Sequence, residues 1–155
     1  MRVVIFFILS VMLFGCSTAE NEVFILPKEY RGYVLIIFNQ KNGVPSKYNG
    51  EKRVYEIPQN GILKTQFKLN DGLSDFPQFY YEKPIQSNRI LFKTEFKNVP
   101  IDTVVAFGGT SGSIKKSAES EDRILIVKFY IGTKSDIDQA REQAEKLDIV
   151  KLAVQ

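Results

Sequence analysis

Ile62-Leu63-Lys64-Thr65-Gln66-Phe67-Lys68-Leu69 is the stretch from which the architecture is most directly read. Leu63, Thr65, Phe67 and Leu69 take one side; Lys64, Gln66 and Lys68 take the other. A period of two is the repeat of a β-strand with one face in a core and one in water. Gly32-Tyr33-Val34-Leu35-Ile36-Ile37-Phe38 has no alternation, and a short unbroken apolar run of this kind suits a strand covered on both faces.

Working outward, strands are expected over Glu22–Leu26, Arg53–Ile57, Gln78–Glu82, Arg89–Lys97, Thr103–Phe107 and Arg123–Ile131. Between them lie Asn42-Gly43, Asn49-Gly50, Pro58-Gln59-Asn60-Gly61 and Asn70-Asp71-Gly72, all turn chemistry. One late segment has helical period. Ile137, Ala140, Ala144 and Leu147 share a face, Ser135 is the expected N-cap, and Asp136 and Asp138 suit the positive end of the dipole. Residues 149–154 fit either a last strand or more helix. The fold expectation is a mainly β chain, an antiparallel β-sandwich or open barrel with one late α-helix. Residues 23–155 form a single domain in this reading.

The N-terminus reads differently. Met1-Arg2 precedes an apolar run over Val3–Phe14 broken only by Ser10. That run is too short for a bilayer core, which needs about 20 helical residues, and matches the apolar region of a secretory signal. It ends Leu13-Phe14-Gly15-Cys16, which resembles a bacterial lipobox. The motif implies a signal peptide over 1–15 and a diacylglycerol on the Cys16 thiol. Phe14 is bulkier than the residue usual at its position. Residues 16–22, Cys-Ser-Thr-Ala-Glu-Asn-Glu, are expected to form a flexible tether. The membrane, reached through the lipid anchor, is then the first partner. Ser17 in place of an inner-membrane retention aspartate favours the outer membrane, periplasmic or surface-facing.

Composition narrows the chemistry. The chain has 155 residues, no histidine and one cysteine. Ser-His-Asp and Cys-His catalysis, His or Cys zinc sites and iron–sulfur ligation are thereby excluded. No cofactor or metal is expected, although oxygen-ligated calcium stays open. The formal net charge is +3, with both signs interspersed, so no nucleic-acid partner is expected.

Two blocks carry a resemblance. They are Phe24-Ile25-Leu26-Pro27-Lys28-Glu29-Tyr30-Arg31-Gly32 continuing to Gln40, and Arg53-Val54-Tyr55-Glu56-Ile57-Pro58-Gln59-Asn60-Gly61 continuing to Thr65. Here the chain resembles an uncharacterised family of small secreted proteins and lipoproteins, largely from Bacteroidota. The resemblance implies an envelope location and a β-rich fold, and it carries no active site. A looser likeness to transthyretin-like and immunoglobulin-like modules is a matter of fold alone.

Gly108-Gly109-Thr110-Ser111-Gly112-Ser113, followed by Lys115 and Lys116, has the residue types of a phosphate cradle. It lacks the Gly-Lys-Ser/Thr ending of a P-loop and reads more simply as a mobile loop between strands. If it binds a ligand, Thr110, Ser111, Ser113, Lys115 and Lys116 are the candidates. Phe76-Pro77-Gln78-Phe79-Tyr80-Tyr81 is an aromatic cluster suited to a sugar or peptide, with Tyr80 the candidate contact. Asp71 and Asp75, or these with Glu51 and Glu56, are the obvious carboxylate pairs for glycoside hydrolysis. Tyr30 is expected to brace a strand through its hydroxyl. The functional expectation is a membrane-tethered, non-enzymatic binding or structural module with an envelope protein or glycan as partner. The alternative is a carboxylate-based hydrolase acting on envelope polysaccharide or peptide.

Overall fold

The computed structural model describes residues 19–154. Cys16 and the expected signal peptide lie outside the described residues. Two five-stranded sheets face one another. The first contains β1 (Glu22–Leu26), β3 (Lys47–Asn49), β4 (Lys52–Glu56), β6 (Gln78–Tyr81) and β7 (Arg89–Ile90), in the order β3-β4-β1-β6-β7. The second contains β2 (Gly32–Ile37), β5 (Ile62–Lys64), β8 (Phe92–Lys93), β9 (Val105–Lys115) and β10 (Arg123–Gly132), in the order β5-β2-β10-β9-β8. Helices α1 (Lys134–Glu145) and α2 (Ile149–Val154) follow, so the segment left open at the C-terminus is helix.

The chain is the mainly β sandwich that its periodicity predicts, but its pairing is mixed rather than wholly antiparallel. β1 runs parallel to both β4 and β6, β2 runs parallel to β5, and β8 runs parallel to β9. For the pairs made by β1 and β2 the cause is the path of the chain. It shuttles between the sheets, so a strand returning to the first sheet often points the same way as its predecessor there. Sequence-adjacent antiparallel pairs arise where the chain stays in one sheet, at β3–β4, β6–β7 and β9–β10.

Arg89–Lys97 shows the shuttle within one expected strand. Arg89 and Ile90 pair with β6 in the first sheet, whereas Phe92 and Lys93 pair with β9 in the second. Leu91 is the crossing point, and its carbonyl accepts from the Ala106 N–H at 2.9 Å. Ile90 is buried and Phe92 packs against the core, so inward alternation survives the change of sheet. Ile62–Leu69 behaves similarly. Its ladder ends at Lys64, yet Leu63, Thr65 and Phe67 are all buried while Gln66 and Lys68 are exposed.

The largest departure concerns Gly108–Ser113. This is not a loop but the middle of β9, which is paired with β10 from Val105 to Lys115. Lys128 faces Thr110 and Phe129 faces Gly108, so Gly109 is the extra residue of a β-bulge. Gly108 and Gly109 have φ of 114° and 89°, and a Cβ on Gly109 would stand 3.2 Å from the Phe129 ring. The glycines serve backbone shape and the close approach of an aromatic ring.

The inter-sheet core centres on aromatic rings. Tyr55, Phe24 and Phe79 sit in register on the inner face of β4, β1 and β6. Phe24 stacks on Tyr55 at 4.7 Å and on Phe79 at 4.9 Å, and Phe129 of the second sheet meets Phe24 edge-on at 4.9 Å. β2 is buried on both faces, as its apolar run implies. Val34 and Ile36 enter the inter-sheet core, while Leu35 and Ile37 pack with Ile149 of α2 on the far side.

The helix begins at a different cap from the one expected. Thr133, not Ser135, is the N-cap, and Asp136 completes a capping box. Asp136 also accepts from Arg31 at 2.8 Å, which ties the helix start to the β1–β2 corner. Its pKa is held below the usual carboxylate value, first by the Thr133 backbone N–H and also by Arg31. At the same corner, the Tyr30 hydroxyl donates to the Tyr33 carbonyl and braces the start of β2 as expected. Burial pushes the Tyr30 pKa up to about 12, so it stays a donor. Gly61, at φ 75°, lies under this contact, and a Cβ there would come within 2.1 Å of the Tyr30 hydroxyl and 2.2 Å of the Tyr33 carbonyl.

Two substitutions test this frame by chemical denaturation. Phe24→Ala is expected to lower stability by about 3–5 kcal/mol, the range for a fully buried aromatic. Gly61→Ala is expected to cost at least ~1–2 kcal/mol from backbone conformation alone, and the clash adds to it. Near-neutral results would refute the packing described.

Candidate functional site

The N-terminal end of β1 opens into a cleft of about 330 Å³ between the two sheets. Its polar walls are Glu22, Asn70, Asp71, Thr94 and Ser111, and its apolar walls include Phe76, Phe92, Phe129 and Val127. The backbone of Gly108 and Gly109 forms part of the floor. A second groove of about 560 Å³ adjoins it and shares Phe76, Pro77, Phe92 and Thr94.

Glu22 is the chemically distinctive residue of the cleft. It starts β1 on the inward face, two residues before Phe24 and four before Leu26. The Tyr55 hydroxyl donates to Glu22 Oε1 at 2.9 Å. Burial raises the Glu22 pKa above its ordinary value, against the opposing pull of Tyr55, Asn70 and Arg53. Burial, reinforced by the Glu22 charge, also pushes the Tyr55 phenol well up, so it remains protonated. Arg53 lies alongside. Its guanidinium pairs with Glu20, donates to the Lys68 carbonyl at 2.7 Å and covers the Phe67 ring at 4.8 Å.

The segment leading into β1 is fixed to the rim of the cleft. The Ala19 N–H donates to the Leu73 carbonyl at 3.0 Å. The Glu20 N–H donates to Asn70 Oδ1 at 3.0 Å, and Asn70 Nδ2 returns a bond to the Glu20 carbonyl at 2.7 Å. Asn21 and Asp75 exchange a further pair at 3.1 Å. Ala19–Asn21, expected within the tether, are therefore docked, and Glu22 is already strand.

The structure distributes the sequence-predicted residues widely. Ser111 lines the cleft, opposite Val127. Thr110 pairs with Lys128, one position along and hence on the other face of β9. The Ser113 hydroxyl accepts from Arg123 at 3.0 Å. Lys115 and Lys116 reach Glu121 at 3.4 Å and Asp122 at 3.2 Å across the β9–β10 hairpin. Tyr80 is buried on the outer side of the first sheet, its hydroxyl 3.3 Å from Gln78. These six do not converge on one site. Of the expected carboxylates, Asp71 is in the cleft, Asp75 is held by Asn21, Glu56 pairs with Lys47, and Glu51 lies in the exposed β3–β4 turn.

Glu22 and Tyr55 were not singled out from sequence. The available signal was a carboxylate at an inward position of a strand whose next inward residues are Phe24 and Leu26. Among the described residues, no three His, Cys, Asp or Glu side chains converge as a metal site, and no helix is long and apolar enough to cross a membrane.

A crystal structure described as "Putative Lipoprotein from Bacillus anthracis" has a similar fold. Its TM-score is 0.50 at 14% identity, over 72% of this chain and 69% of that one. At that identity the likeness concerns the fold alone. No curated protein matches the chain. The profile of a family of unknown function, DUF6843, matches residues 18–140, most of the chain, and the protein belongs to that family.

Proposed function

We propose that the protein is a bacterial lipoprotein, cleaved after Gly15 and lipidated on Cys16, whose single domain is a non-enzymatic binding module of the cell envelope. The outer membrane is the location this reading favours. The carrying observation is the docking of Ala19–Asn21 on the rim of the cleft, which ties the domain to a point three residues after Cys16. The lipobox-like Leu13-Phe14-Gly15-Cys16 and the absence of any second cysteine support the anchor. The description of the Bacillus anthracis neighbour is consistent with it.

The cleft supports a glycan as the ligand. Phe76, Phe92 and Phe129 offer apolar and aromatic surface, while Glu22, Asn70, Asp71 and Ser111 supply hydrogen-bonding groups. A volume of about 330 Å³ suits one or two sugar residues. One observation favours a second reading. A half-buried Glu22 with a raised pKa, in the same cleft as Asp71, has the features of a general acid beside a second carboxylate. Turnover of envelope polysaccharide that disappears in Glu22→Gln would select the hydrolase; saturable binding without turnover selects the binding module.

Cys16→Ser tests the anchor. The variant is expected to leave the membrane fraction with an unchanged melting temperature. A variant that stays in the membrane fraction with the same mass as the wild type, the substitution apart, would contradict the lipoprotein reading.

Glu22→Gln tests the carboxylate. A raised folded-state pKa means that the ionised group opposes folding, and that this opposition disappears once both states are protonated. The variant is expected to melt above the wild type at pH 7.5, with the gain vanishing as the pH falls below about 4, the ordinary range for Glu. In titration calorimetry with an N-acetylglucosamine disaccharide it is expected to bind at least about tenfold more weakly, the loss of one charge-assisted hydrogen bond. Equal melting temperatures at both pH values would contradict the burial argument, and absence of wild-type saturation would contradict the glycan assignment.

A further inference from the structure

We infer that Leu73 and Phe76, on the loop between Asn70 and Pro77, seat in the interface of the bilayer that holds the Cys16 lipid; the inference rests on the lipoprotein reading above.

Both side chains are exposed, Leu73 at 75% and Phe76 at 71%. They stand immediately either side of Ser74–Asp75, and this loop is the one to which the N-terminal segment is hydrogen-bonded. The Leu73 carbonyl itself accepts from the Ala19 N–H. Chain length then sets the distance. Three peptide units separate Cys16 from Ala19 and span at most about 11 Å when fully extended. A headgroup layer occupies roughly 5–8 Å on each side of the hydrocarbon. The Leu73 carbonyl, one 3.0 Å hydrogen bond beyond Ala19, is therefore held within about 10 Å of the membrane surface in any arrangement of the intervening residues, a gap that the loop's projecting side chains narrow further. Apolar side chains held there bury in the boundary between headgroups and acyl chains, at a depth of about 5–10 Å.

The β9–β10 hairpin continues past the Ser111–Val127 pair that lines the cleft. Its Lys115 and Lys116 are paired with Glu121 and Asp122 and are not free to meet anionic lipid without giving up those partners. Asp71 and Asp75 border the two apolar residues on the loop. The contact is therefore apolar, and a neutral phosphatidylcholine surface is sufficient for it. Because Phe76, Asn70 and Asp71 also line the cleft, its mouth lies next to the membrane.

The chain contains no tryptophan, so a single substitution installs a unique probe. Phe76→Trp and Leu73→Trp are placed separately in the lipidated protein and reconstituted into phosphatidylcholine vesicles with and without brominated acyl chains. Ile101→Trp is the control. Ile101 is 81% exposed at the opposite end, beside Pro100, whose carbonyl accepts from Lys134 at the start of α1. Both loop tryptophans are expected to shift to the blue on vesicles and to be quenched at least about twofold more than the control. The quenching is expected to persist in high salt. Quenching at both loop positions no greater than at Ile101→Trp, in protein that floats with the vesicles, overturns the inference and leaves the anchor intact. Protein purified from membranes that carries no lipid and does not float overturns the anchor and the inference with it.

Discussion

The fold depends on the stack of Tyr55, Phe24 and Phe79 across three neighbouring strands. All three strands run parallel and in register, so the rings repeat at the strand spacing and stack nearly parallel, with interplanar angles of 15° and 16°. Phe129 closes the stack from the opposite sheet, edge-on to both Phe24 and Phe79. Aromatic pairs of this geometry contribute about 0.5–1.5 kcal/mol each beyond area burial. Everything at the cleft follows from the position of this stack. Glu22 projects beside it because it is one inward position upstream of Phe24. The bulge at Gly109 exists where the Phe129 ring needs room.

Local features were legible from the residues; the assignment of strands to sheets was not. Alternation at Ile62–Leu69 correctly marks which side chains are buried, because burial follows backbone pleat even after the ladder ends at Lys64. Alternation in Arg89–Lys97 marks the inward residues equally well, and conceals the crossing at Leu91. Turn dipeptides at Asn49-Gly50 and Asn60-Gly61 announce reversals, but not whether the chain returns within its own sheet or crosses to the other. That choice produces the parallel pairs of β1 and β2, and it is set by contacts distant in sequence.

The site was less legible than the fold for a related reason. Gly108–Ser113 has the composition of a loop, and glycine is also what a bulged strand beneath an aromatic ring requires. Lys115 and Lys116 look available until their partners across the hairpin appear. Glu22 looks like part of a polar leader, yet Asn70 and Asp75, some 50 residues on, pin that leader in place. Its perturbed carboxylate is a product of tertiary burial rather than of any local motif.

Anchor, docked leader and cleft form one arrangement. The residues that fix Ala19–Asn21 belong to the same loop that lines the cleft and carries Leu73 and Phe76. A lipid at Cys16 would thus orient the domain, with its cleft near the bilayer and the β1–β2 corner away from it. This orientation requires that Cys16 is the mature N-terminus and carries lipid. Intact-mass spectrometry of the protein extracted from membranes measures this directly. The account predicts a chain beginning at Cys16 with the added mass of a diacylglycerol, alone or with a further acyl group. A chain retaining Met1, or one with an unmodified Cys16 thiol, would contradict it.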